Sequence, residues 1–139
     1  MRTPFAPSKD LDMDVYKIHG AFSWSELNTT DLAGAAAFHS GLFGWQVGDA
    51  TPEMGDYRMA SIGQDRVAGI MSLPPGSPPM PPHWGVYITV NNVEKCVDQA
   101  KTLGAQVLVP PMDVPAVGRM AVLQDPQGAV FSVLQYSAA

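Results

Sequence analysis

The sequence predicts an α+β protein made of two tandem βαβββ modules, related by a pseudo-twofold axis and curving one mixed sheet around a cavity. Three observations carry that prediction. The tripeptide Arg-Met-Ala occurs at Arg58 and again at Arg119, 61 positions later. Shifted by that offset, FSWSELNTTDL falls on HWGVYITVNNV and YRMASIGQDRVAGIMSL falls on GRMAVLQDPQGAVFSVL; few identities survive, but the apolar positions do. Between the halves runs PPGSPPMPP, Pro74 to Pro82. Its prolines lack backbone donors and favour extended geometry, so it reads as a stiff linker. An internal repeat of this length decides the architecture before any single residue is interpreted.

Each module reads the same way. An alternating strand comes first, followed by Asp31 or Asn92 as a helix N-cap. A helix of about three turns follows, ended near Gly44 or Gly104, residues suited to a C-terminus. Three extended segments complete the unit, the last two joined by turns such as Asp125-Pro126-Gln127-Gly128. In the second helix Val93, Cys96, Val97, Ala100 and Leu103 have the spacing of a buried stripe, matched by Leu32, Ala35, Ala36, His39 and Leu42 in the first. Cys96 therefore reads as a packed thiol, and His39 as an imidazole bonded within the packing. The modules span residues 21–73 and 83–136, after a tail over residues 1–20 and around a linker over 74–82.

The 139 residues suit one domain with one substantial core, and 46% hydrophobic against 15% charged residues indicates a globular chain. Net charge is −5 and the eight Lys and Arg form no stripe, which argues against nucleic acid as a partner. No apolar run approaches the ~20 residues that cross a bilayer. The first twenty residues carry proline and three aspartates where a signal peptide needs an apolar core; they read as a tail or strap. A single cysteine fits a reducing cytoplasm. Open sheet edges suggest a homodimer.

WSELNTTDLAGAAAFHSGLFGW, HWGVYITVNNV with its following helix, and GRMAVLQDPQGAVFSVLQ together resemble the vicinal oxygen chelate superfamily, which includes glyoxalase I, bleomycin resistance proteins and extradiol dioxygenases. The likeness covers about residues 21 to 136 and is nearest to small glyoxalase-like members. In metal-using members one His, Glu or Gln comes from each of four strands. Carried over by motif, those positions fall on Trp24, Met71, Gly85 and Ser132, none of which belongs to a usual divalent site. The resemblance therefore implies the fold but no metal centre and no cofactor.

Strand alternation selects the residues that share the cavity. Trp24, Glu26 and Asn28 point one way, with Gly69 and Met71, Gly85, Tyr87 and Thr89, and Ser132 and Leu134. This is an apolar surface of Trp24, Met71, Tyr87 and Leu134 with polar points at Glu26, Asn28, Thr89 and Ser132, the balance of a small-molecule pocket. Glu26 and Tyr87 are repeat equivalents and should meet near the axis. A partly desolvated carboxylate beside a phenol acts as a general base or holds a cationic group; its bland alternative is a hydrogen bond inside the sheet. Arg58 and Arg119 are not assigned to a face.

The leading expectation is a metal-independent family member that binds a small, partly aromatic molecule through Trp24, Asn28, Met71, Tyr87, Thr89 and Ser132, with Glu26 as the catalytic candidate if there is turnover. Whether the protein is an enzyme is left open. Two alternatives remain: a metal-dependent lyase, isomerase or dioxygenase using displaced ligands such as Glu26 and His83, and a non-catalytic interaction module whose pocket is filled by its own side chains.

Overall fold

The computed structural model describes residues 14–49, 55–73 and 80–137. Its elements run β1 (Phe22–Thr29), α1 (Leu32–Phe43), β2 (Gln46–Val47), β3 (Arg58–Ile62), β4 (Asp65–Ser72), β5 (His83–Thr89), α2 (Val93–Thr102), β6 (Gln106–Val114), β7 (Gly118–Gln124) and β8 (Val130–Tyr136). This is βαβββ twice. Residues 1–13 of the expected tail and 74–79 of the expected linker lie outside the described residues.

The helices begin and end where the sequence says. The Asp31 side chain accepts from the Gly34 amide at 2.9 Å and the Asn92 side chain from the Lys95 amide at 2.9 Å, each satisfying one of the amides a first helical turn leaves free. Gly44 closes α1 at φ 74°, a left-handed conformation that a side chain disfavours.

All eight strands join one sheet in the order β2-β3-β4-β1-β5-β8-β7-β6. The order is a palindrome of modules, with the antiparallel β1–β5 pair at its centre and a parallel pair on each side, β1–β4 and β5–β8. Helix-facing residues form the core: Leu27, Ala60, Ala68 and Ile70 in the first module, and Ala121, Leu123 and Val133 in the second, beneath Val93 and Val97 of α2. Residues 14–20 form a strap across the ends of β5 and β8. Val15 accepts from the Thr89 hydroxyl at 2.6 Å, His19 Nδ1 accepts from the Asn91 amide at 3.0 Å, and the Tyr16 ring meets Tyr136 edge-on at 5.1 Å.

Register corrects the repeat in one respect. Glu26 pairs with Gly69, whereas its repeat equivalent Tyr87 pairs with Ser132. Met59 pairs with Gly69, and Val122 with Ser132. The last two strands of the modules therefore correspond two residues away from the sequence offset. Arg58 occupies the place of Ala121, while the Arg119 position lies one strand pleat earlier. The two Arg-Met-Ala tripeptides stand in equivalent strands but not at equivalent places. A slip of two preserves side-chain parity, so every inward or outward assignment survives it.

Two helix assignments change. Leu103 is 69% exposed, because α2 ends at Thr102 and Leu103 caps it. Leu42 is 60% exposed; of the first helix's expected stripe only Ala36 is fully buried.

Candidate functional site

Four strands and the approach to a fifth bring the site together on the face away from the helices. β1 contributes Trp24, Glu26 and Asn28. Across it in β5 stand Tyr87, opposite Trp24, and Gly85, opposite Glu26. β4 places Gly69 beside Glu26 and Met71 beside Asn28, and β8 places Ser132 beside Tyr87. The alternation read from the sequence thus sets these residues on one face.

Glu26 is the centre of the group and is only 9% exposed. The Tyr87 hydroxyl donates to Glu26 Oε1 at 3.1 Å. The Tyr57 hydroxyl bears on the same carboxylate and accepts from Trp24 Nε1 at 2.8 Å. Two phenols, one from each module, thus converge on one carboxylate: Tyr87 by a direct hydrogen bond and Tyr57 as a neighbour that also takes the Trp24 indole hydrogen bond.

Burial pushes the Glu26 carboxyl above its ordinary range, and the hydrogen bonds from Tyr57 and Tyr87 pull it back only in part. Tyr57 and Tyr87 are both pushed well above the usual phenol range, by burial first and by the neighbouring Glu26 charge second. Both phenols therefore stay protonated donors, and Glu26 holds its proton more tightly than an ordinary carboxyl does.

Tyr57 was not selected from the sequence. It precedes β3, and its ring lies over Gly69, where an added Cβ would overlap the phenol. The signal was present: Tyr57 and Met59 alternate onto the face of Gly69, and Gly69 leaves room for one ring. Thr89 shares the face but is 3% exposed with its hydroxyl bonded to Val15, so it fastens the strap and presents nothing to a ligand. Leu134 is buried nearby. Asn28 and Met71 are half-buried at the rim. His83 stands opposite Asn28, with its Nδ1 3.0 Å from the Pro81 carbonyl.

A divalent metal does not suit these donors. Tryptophan, glycine and serine stand at three of the positions where the resemblance implies ligands. In β4 the register gives Gly69 as the counterpart of Ser132, in place of Met71. Among the described residues no three His, Cys, Asp or Glu side chains gather as a metal site requires.

On the opposite face, between α1 and the sheet, is a cleft of about 420 Å³ lined by Ser25, Phe38, His39, Trp45, Ala68 and Trp84 among others. His39 is at its centre, stacked on Trp45 with ring centroids 5.8 Å apart and met edge-on by Trp84 at 5.4 Å. Its Nδ1 lies 2.8 Å from the Ala35 carbonyl, the packed histidine the sequence suggested. Cys96 is half-buried against the second-module core, and burial raises its thiol pKa.

The family described as Glyoxalase/Bleomycin resistance protein/Dioxygenase superfamily matches residues 21–133. Over 119 residues the chain is 40% identical to CFP32 of Mycobacterium tuberculosis, provisionally named a glyoxylase, covering 84% of this chain and 46% of that protein. It is 36% identical over 127 residues to the anthracycline biosynthesis protein DauV of a Streptomyces species, covering 82% of this chain and 46% of DauV. The chain thus spans under half the length of these relatives. Among solved structures, methylmalonyl-CoA epimerase from Mycobacterium tuberculosis superposes with a TM-score of 0.62 at 12% identity, over 86% of this chain and 89% of the epimerase; at that identity the likeness concerns the fold alone.

Proposed function

The chain belongs to the Glyoxalase/Bleomycin resistance protein/Dioxygenase superfamily, and from that premise we propose that it binds a small, partly aromatic organic molecule on the Glu26 face without the metal centre other members use. Trp24, Tyr87, Met71, Asn28 and Ser132 supply the contacts. Glu26 supplies the proton exchange if the bound molecule is turned over. The single observation that carries this reading is a buried carboxylate at the junction of the modules, bonded by the Tyr87 phenol and flanked by that of Tyr57. Burying an ionisable group costs stability, and such groups gather at functional sites more than in structural cores. A relative named for anthracycline biosynthesis agrees with an aromatic ligand. We propose further that the protein is a cytoplasmic homodimer; what supports the dimer is that Phe38 and Phe43 are 61% and 57% exposed on α1, and apolar surface of this kind marks an interface.

One observation favours a second reading, a non-catalytic module with its cavity closed by its own side chains: the Tyr57 ring already occupies the space above Gly69.

Glu26→Gln tests the proposal. The amide keeps the shape and much of the hydrogen bonding but cannot ionise. In a thermal-shift screen of small aromatic compounds, hits on the wild type should bind the variant more than tenfold more weakly, about 1.4 kcal/mol. Melts across pH give an independent readout. Because the folded Glu26 pKa is raised, its neutral form is favoured in the native state. Wild-type stability should therefore fall, relative to the variant, as pH rises from the ordinary Glu value of about 4.3 through the raised folded value, and the gap should stay constant above it. An unchanged titration removes Glu26 from the site. Stoichiometric zinc, nickel, iron or manganese in protein purified without added metal would replace this reading with a metal-dependent one.

A further inference from the structure

The Tyr57 ring sits in a built place. Gly69 lies in the middle of β4, and its backbone is not in the left-handed region. Conformation does not require a glycine there, and a glycine inside a strand is less stable than alanine because it loses more backbone freedom on folding. What needs the missing side chain is the phenol, because any Cβ at Gly69 would overlap it. Met59, across from Gly69, and Met71, two residues along β4, have the parity of the same face, and thioethers there suit aromatic contacts.

The hydroxyl at the end of that ring stands between two groups of opposite kind, one bonded to it and one beside it. Trp24 Nε1 can only donate to it, at 2.8 Å; Glu26, when ionised, can only accept from it. A single atom that accepts from an indole N–H and donates to a carboxylate is a hydroxyl oxygen. An ammonium group has no lone pair for Trp24, a ketone or ether has no proton for Glu26, and a carboxylate repels Glu26. Tyr87 holds Glu26 from the opposite side at 3.1 Å, so the carboxylate keeps a donor if Tyr57 leaves. Tyr57 itself precedes β3, outside the ladder that fixes Arg58 to Ile62.

We infer that the slot above Gly69, between Trp24 and Glu26, recognises the hydroxyl of a phenol, and that Tyr57 occupies it as a built-in stand-in which a hydroxyaryl ligand displaces. The inference rests on the proposed ligand-binding role of the Glu26 face and names the class of compound it takes: flat aromatic rings bearing a neutral hydroxyl. It also joins the two readings above, since the face is closed by its own side chain until a better phenol arrives.

Tyr57→Gly empties the slot, and p-cresol is the removed side chain as a free molecule. Saturating p-cresol should raise the melting temperature of the Tyr57→Gly protein, while toluene, of the same shape without the hydroxyl, should raise it far less. Equal shifts from both overturn the hydroxyl recognition, and no shift from p-cresol overturns the slot. Tyr57→Phe covers the case in which the glycine variant does not fold. It keeps the ring but loses the Trp24 hydrogen bond and the hydroxyl beside Glu26, so 2-naphthol should displace it more easily and bind at least threefold more tightly than to wild type. Weaker or equal binding overturns the displacement. Failure here is separable from failure of the proposed function: an unchanged titration in Glu26→Gln with p-cresol still filling Tyr57→Gly removes the acid–base role and leaves the slot.

Discussion

The two helices occupy the same place in their modules and do different work. α2 lays Val93 and Val97 onto Ala121, Leu123 and Val133, with Cys96, Ala100, Val107 and Phe131 around them. α1 faces a thinner sheet, for register puts Ala60 where the second module has Leu123, and Ala68 where it has Phe131. Small side chains leave the room that appears as the cleft under His39. The aromatic rings of α1 and its surroundings pack on one another around His39 and remain open to the outside at Phe38, Leu42 and Phe43. The difference teaches that topology repeats while core volume does not. One module is closed by its helix; the other carries apolar surface toward something else.

The comparison breaks first at Leu123. It is 1% exposed in the filled module, and Leu123→Ala should cost about 2–5 kcal/mol by lost transfer energy and an unfilled cavity. Chemical denaturation measures this directly. The mirror change, Ala68→Val, adds methyl groups on the wall of the existing cleft and should be neutral to stabilising by up to about 1 kcal/mol. If Ala68→Val costs as much as Leu123→Ala, the first module is as tightly filled as the second and the contrast is wrong.

A smaller effect is expected on assembly. If the α1 face meets a second copy of the chain, Phe38→Glu places a charge in the contact and should weaken dimerisation at least tenfold, about 1.4 kcal/mol. The monomer fold should survive, because Phe38 is mostly exposed and glutamate is a good helix former. Light scattering over a concentration series checks it. A wild type that is monomeric at micromolar concentration removes the dimer, and a variant that dimerises normally moves the interface elsewhere.

Much of this fold was legible because alternation, caps and the repeat all reported on backbone periodicity. Asp31, Asn92 and Gly44 each satisfy a local rule and sit where it puts them. Strand phase put Trp24, Glu26, Tyr87 and Ser132 on one face for the same reason. What the sequence concealed depends on contacts between segments. Tyr57 has the parity of the Gly69 face, but it reaches Glu26 only because β3 lies beside β4 in this register, and pairing between strands is not a local signal. Thr89 has the right parity for a ligand contact, yet the strap takes its hydroxyl. Leu42 keeps helical spacing, but its face lacks a partner of sufficient volume.

The smallest effect concerns the tripeptide that revealed the repeat. Arg119 reaches outward to Glu94 on α2, and to Asp113 on β6 at 2.9 Å. Its namesake Arg58 stands in the place of Ala121, with a buried Nε that has no hydrogen-bond partner among the described residues. Although Arg119 ties helix to sheet, its pairs are solvent-exposed, and exposed pairs contribute little because water and salt screen them. Arg119→Ala should therefore leave the unfolding midpoint nearly unchanged at physiological salt. Any difference should vanish near 1 M salt, where screening acts within about 3 Å. The clearer readout is Glu94, whose carboxyl Arg119 holds below the usual range. In the variant its titration, followed by NMR, should return upward toward the ordinary value of about 4.3. The sign follows from the depressed folded pKa: whatever Arg119 contributes is present above the ordinary Glu value and is lost as pH falls through the lower folded one. A large, salt-independent loss of stability in Arg119→Ala would instead make this pair the bolt that holds α2 to its module, and the packing of Val93 and Val97 would no longer suffice to explain why the second helix is the firmer of the two.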